Sequence, residues 1–171
     1  ILNELTDGLT GGAFPAGINA LIDPPDLPPT DPSAWNASDL RTLLQLDNSD
    51  ARMDMVFLAG HFSAGKALAA DYQTTVAAEE IADAAVDLSN AIIFSNGCHT
   101  GYSVVNEHAV PDVTDPLDWA QAFAQKGAVL ISAPTYQYAD ADYIDYSERF
   151  YLEFARAMRT GEAPVAIGDA L

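Results

Sequence analysis

Basic side chains are few in this chain for its length. Only 2 Lys and 5 Arg stand against 18 Asp and 7 Glu in 171 residues, for a formal net charge of −18. A surface so negative repels phosphates, which excludes nucleic acid as a partner. Cysteine is scarcer still, Cys98 standing alone, so no internal disulfide framework exists and the redox compartment stays open. No apolar run approaches the ~20 residues of a membrane-spanning helix, so no membrane span is expected. Nor is a leader peptide expected within this stretch. The chain opens on Ile1 and stops at Leu171 inside a helical pattern, so we expect a piece of a longer protein, and the missing leader says nothing about secretion. What is present is 49% hydrophobic residues with mean hydropathy of +0.04, enough for one soluble domain with its own core. The Asp-rich, Lys-poor balance fits a secreted or cell-surface protein, a calcium-loaded one or one from a salty habitat, beside the plainer reading of solubility alone.

Residues 1 to 34 carry punctuation rather than periodicity. The run Asp23-Pro-Pro-Asp-Leu-Pro-Pro-Thr-Asp-Pro32 is expected to be extended, because each proline lacks an N–H and drives its predecessor out of the α region. These residues form a Pro/Gly-rich lead-in, and 35–171 forms the folded domain. From residue 35 onward, strand-like and helix-like stretches alternate and every strand is apolar throughout, which predicts an α/β fold: a three-layer α/β/α sandwich on a mainly parallel sheet.

Two stretches share one plan. Asp54-Met-Val-Phe-Leu-Ala-Gly60 reads as a buried strand ending in glycine, with His61 next. Ala91-Ile-Ile-Phe-Ser-Asn-Gly97 repeats it, with Cys98 next. If the strands are parallel neighbours, His61 and Cys98 leave the same sheet edge, and Ser63 to Asn90 supplies the crossover. A helix is expected over 75–90, with Ile81, Ala85 and Leu88 facing inward. The chemistry follows from the residue types: a thiolate attacks carbonyl carbon, and an imidazole activates the thiol and protonates the leaving amine. Taken singly, a lone Cys or a lone His is more often structural than catalytic. Their recurrence at two matching strand ends favours the catalytic reading.

Strand-then-His, crossover, strand-then-Gly-Cys resembles the two-block pattern of the caspase, legumain and gingipain superfamily of cysteine peptidases. The block Phe94-Ser-Asn-Gly-Cys-His-Thr-Gly101 is most similar to the gingipain-type and bacterial caspase-like branches, and the likeness covers about residues 54 to 171. The resemblance implies a caspase-like sandwich and a cysteine endopeptidase working through an acyl-enzyme, with Cys98 as nucleophile, His61 as general acid/base and a polypeptide as substrate. It places backbone N–H groups of Phe62 and Cys98 at the oxyanion, and Gly97, Thr135 and Tyr136 along the substrate cleft. Phe62 departs from the family's glycine after the histidine. Cleavage after basic residues is the expected specificity, from the acidic surface and the gingipain likeness, and no cofactor is required.

The remaining stretches complete the pattern. A helix starts near Asn36 or Ser38, with Leu40, Leu43 and Leu44 on one face. Another starts at Asp115, buries Trp119 and Phe123 and ends at Lys126-Gly127, before an apolar strand over 128–133. A last long helix spaces Tyr146, Phe150, Phe154 and Met158 four apart as a core stripe. Ahead of it, Asp140, Asp142 and Asp145 read as an acidic helix start, with a structural Ca²⁺ site as the lesser reading. Three alternatives to the peptidase remain: an inactive caspase-like module used for binding, a serine esterase built on Ser63 in Gly60-His-Phe-Ser-Ala-Gly65, and a zinc site from His61, Cys98 and His99 or His108. Oligomeric state leaves no trace in the sequence.

Overall fold

Asn36 starts the first element. In the computed structural model, which describes residues 21, 28, 31–104, 108, 110, 114, 116–138, 146–158 and 165–171, its side chain accepts from Ser38 N at 2.8 Å. The Asp39 carboxylate reaches back to Asn36 N at 2.8 Å, closing a capping box. Helix α1 runs Ala37–Leu43 and stops where Gln45 takes a left-handed φ of 51°. Most of the 1–34 lead-in lies outside the described residues. Those between 20 and 137 form one compact unit, which carries the sheet, and those from 138 onward belong to a second.

Five strands make a mixed sheet: β1 Met55–Phe62, β2 Lys66–Leu68, β3 Thr75–Ala77, β4 Ile92–Gly97 and β5 Val129–Ile131, in the order β3-β2-β1-β4-β5. Strands β1, β4 and β5 are parallel, while β2 and β3 add antiparallel to the β1 edge. Parallel neighbours need a long connection, and the β2–β3 hairpin together with helix α2 (Ala78–Ala82) provides it. Helix α3, Trp119–Gln125, is capped by Asp118, which accepts from Gln121 N at 2.8 Å, and ends before Gly127 at φ 70°. The fold is therefore α/β, a mixed sheet flanked by helices. No helix among the described residues is long and apolar enough to cross a membrane.

The core of the sheet unit gathers Leu44 and Leu46 after α1, Leu58 of β1, Ile81 of α2, Val86, Leu88, Ile93 of β4, and Trp119 and Phe123 of α3. Burying such side chains contributes about 1.5–3 kcal/mol each. Trp119 fastens α3 to the β1–β2 turn, its Nε1 donating to Ser63 O at 2.9 Å and its backbone N to Ala64 O at 3.0 Å.

Three sequence expectations need correction. The helix over 75–90 shrinks to Ala78–Ala82. Beyond it Val86 and Leu88 are buried while Ala85 is exposed, a period of two, and Ala85 N and Asp87 N donate to Leu46 O and Ala51 O instead of closing helical turns. Strand β1 does not end at Gly60 but continues through His61 and Phe62, which pair with Leu68 and Ala67 of β2. In helix α4, Tyr146–Ala157, the buried side chains are Tyr151, Leu152, Phe154 and Ala155, whereas Tyr146 and Phe150 of the expected core stripe are exposed. A short helix α5, Ile167–Ala170, follows.

Candidate active site

Register decides which residues meet at the sheet edge. Strands β1 and β4 pair in parallel from Met55 with Ile92 to Gly60 with Gly97, so the next residues, His61 and Cys98, follow at the same end. Val56, Leu58 and Phe62 pack on the core cluster, which leaves His61 on the opposite face. On β4, Ile93 belongs to the cluster and Gly97 lies under the Phe62 ring. Strand alternation therefore assigns Asn96 to the face that His61 occupies, while Cys98 opens the turn that follows β4.

Two glycines make this possible for different reasons. Gly60 has φ 151°, a conformation nearly closed to other residues, and sits where β1 gives up β4 as its partner and takes β2. Gly97 needs glycine for space: a Cβ there would lie 2.3 Å from Cδ2 and 2.4 Å from Cγ of Phe62. That ring packs edge-to-face on Trp119, centroids 5.6 Å apart. Phe62 thus turns inward as a core residue, and Gly97 is covered by it.

His61 is exposed and held from outside the strand pair. Its Nε2 lies 3.0 Å from the Tyr72 hydroxyl, and the two rings meet edge-to-face at 5.4 Å. Tyr72 takes a left-handed φ of 53° inside a turn organised by Asp71. The Asp71 carboxylate accepts from Thr74 N and Gln73 N, both at 2.9 Å, and from Thr74 Oγ1 at 2.8 Å. These bonds, that from Thr74 N foremost, hold the Asp71 carboxyl below the usual carboxylate range.

Cys98 is half-buried. Gln137 N donates to its Sγ at 3.5 Å, and Sγ lies 3.8 Å from Gln137 O. The loop after β5 is laced to this turn: His99 N donates to Thr135 O at 2.9 Å, Gly101 N to Ala133 O at 3.0 Å, and the His99 ring meets Tyr136 at 4.6 Å. Thr100, fully buried, donates to Gly97 O at 2.8 Å and shares a short contact with the Ser132 hydroxyl. On β4, Asn96 is 7% exposed and its Oδ1 has no hydrogen-bond partner among the described residues.

The structure brings Thr135 and Tyr136 against His99, the residue after Cys98, sets Cys98 itself against Gln137, and separately covers Gly97 with Phe62. His61 lies within β1 and Cys98 just past the end of β4, and their hydrogen bonds go elsewhere, to Tyr72 and Gln137. Asp140, Asp142 and Asp145 lie outside the described residues. The serine-esterase reading fails on topology: an elbow needs strand, turn and helix, and Ser63 instead closes the β1–β2 turn, its N donating to Lys66 O at 2.8 Å and its Oγ accepting from Lys66 N at 3.0 Å. Among the described residues no three His, Cys, Asp or Glu side chains gather as a metal site. Sequence reasoning missed Tyr72, Asn96 and Gln137. The Asp71-to-Thr74 spacing signalled the turn under Tyr72, while nothing local distinguished the other two. No family model matches the chain, and comparison with curated proteins and with solved structures gives no match.

Proposed function

We propose that the chain is a cysteine peptidase of the caspase–gingipain type, with Cys98 as nucleophile and His61 as general acid/base. One observation carries the reading: Gly60 registers with Gly97 on adjoining parallel strands, so His61 and Cys98 are the residues that follow at the same end of the pair. Strand ends of this kind are where open parallel sheets keep their sites. The Gln137 N–H directed at the sulfur supports it further. In the reaction Cys98 attacks the scissile carbonyl, His61 protonates the departing amine, and water then releases the acyl group. The net charge of −18 favours substrates with Arg or Lys before the scissile bond.

A panel of fluorogenic peptides with Arg, Lys, Asp or Asn before the cleaved bond tests this. Hydrolysis of the Arg and Lys peptides, abolished in Cys98→Ala, is the expected result. Cleavage of only the Asp and Asn peptides would overturn the specificity, and no cleavage of any peptide would overturn the activity. A second reading, a caspase-like binding module without turnover, draws on the separate hydrogen bonds of His61 and Cys98 and on the inward Phe62 ring.

A further inference from the structure

Resting on the peptidase reading, we propose that Tyr72 is a positioning residue for His61: its hydroxyl oxygen accepts the Nε2 proton, leaving Nδ1 as the nitrogen that exchanges protons with Cys98 and substrate. An exposed imidazole on a strand end rotates freely unless something fixes it, and a catalytic ring needs one nitrogen occupied so that the other is presented reproducibly. Here the Tyr72 hydroxyl lies 3.0 Å from Nε2, and its ring edge braces the imidazole at 5.4 Å. Tyr72 reaches this place only by taking φ 53°, uncommon for a bulky aromatic residue. The Asp71 carboxylate, bonded to Gln73 N and Thr74 N, and Asp71 N, donating to Trp35 O at 3.2 Å, hold the turn in that conformation.

The proton balance is consistent with a hydroxyl partner. The Cys98 thiol gives its proton to Nδ1 as sulfur bonds to the scissile carbon. Nδ1 passes that proton to the amine nitrogen as the C–N bond breaks. In deacylation a water oxygen bonds to the acyl carbon, its proton goes to Nδ1, and the C–S bond breaks to leave a thiolate that Nδ1 reprotonates. Nε2 keeps its proton throughout, and the Tyr72 oxygen accepts it at every stage.

Tyr72→Phe keeps the ring and removes the acceptor. The expected result is a fall in kcat of about tenfold, the value of one hydrogen bond, with KM within about twofold. In NMR of the full chain, the bonded His61 Nε2 proton visible in the wild type should vanish in the variant. Asp71→Ala, which loosens the turn without touching either ring, should lower kcat in the same direction. Unchanged kcat in Tyr72→Phe while Cys98→Ala is inactive would overturn the inference and leave the peptidase standing. If the wild type cleaves no peptide, the peptidase reading falls instead, and an Nε2 proton signal unaltered by Tyr72→Phe would overturn the tyrosine's role separately.

Discussion

Gly97→Ala is a one-methyl change with a large expected effect. The added carbon would stand 2.3, 2.4 and 2.8 Å from Cδ2, Cγ and Cβ of Phe62. These atoms are the root of the ring and its first edge, so no small tip rotation relieves the clash. Phe62 must leave its seat on Trp119, losing an aromatic contact of about 0.5–1.5 kcal/mol and part of a buried ring worth about 1.5–3 kcal/mol. Overpacking without full escape costs about 1–3 kcal/mol. Gly97 does not sit at positive φ, so the alanine backbone is unstrained there, and stiffening of the unfolded chain returns about 0.4–1 kcal/mol. The sum is a destabilisation of about 2–4 kcal/mol, or a fall in Tm of roughly 4–16 °C at this chain length. Urea titration of Gly97→Ala, Phe62→Ala and the double variant isolates the cause. In the Phe62→Ala background the ring contacts are gone and only the Cβ contact at 2.8 Å remains, so the added methyl should cost less than it does in the wild type. An equal cost in both backgrounds would refute the steric reasoning.

Other perturbations have defined outcomes. Asn36→Ala removes the α1 cap and should cost about 1 kcal/mol by chemical denaturation. Arg41, whose Nη2 lies 2.9 Å from Glu80 Oε1, holds the Glu80 carboxyl below its usual value of 4.5, and Ala77 N adds to the effect. The folded form thus binds this proton more weakly than the unfolded chain. The pair's stabilisation is complete above the usual value and is lost as pH falls through the depressed one. Glu80→Gln should flatten the acid limb of a Tm-against-pH curve, with less than about 1 kcal/mol lost at neutral pH because the pair is partly exposed. Ser63→Ala should leave any peptidase turnover unchanged, since the hydroxyl serves the β1–β2 turn, and a turnover loss matching Cys98→Ala would return Ser63 to the chemistry.

The parts of this molecule that were legible in the sequence are those written in continuous apolar runs. Val56 to Ala59 and Ile92 to Phe94 announced the two central strands, whereas Gly60 did not mark the end of β1, which runs on through His61 and Phe62. The β2–β3 hairpin was not legible, because three residues are too few to display a period. The segment after it misled for a definite reason: Ile81, Ala85 and Leu88 fall at helical spacing, yet Leu46 and Ala51 offer their carbonyls to Ala85 and Asp87, and that long-range pairing outweighs local preference. At the site, Phe62 looked like a disturbed oxyanion position until Gly97 and Trp119 gave its ring an inward seat. The contacts of Tyr72 and Gln137 join residues 11 and 39 positions apart, which no local pattern records.

Alkylation of the single thiol by iodoacetamide at mildly acidic pH, followed by mass spectrometry in the wild type and in His61→Ala, puts the paired-residue claim under the most direct pressure. The account predicts that Cys98 reacts faster than free cysteine and that His61→Ala removes the advantage. A wild-type rate equal to that of free cysteine and indifferent to His61 would contradict it.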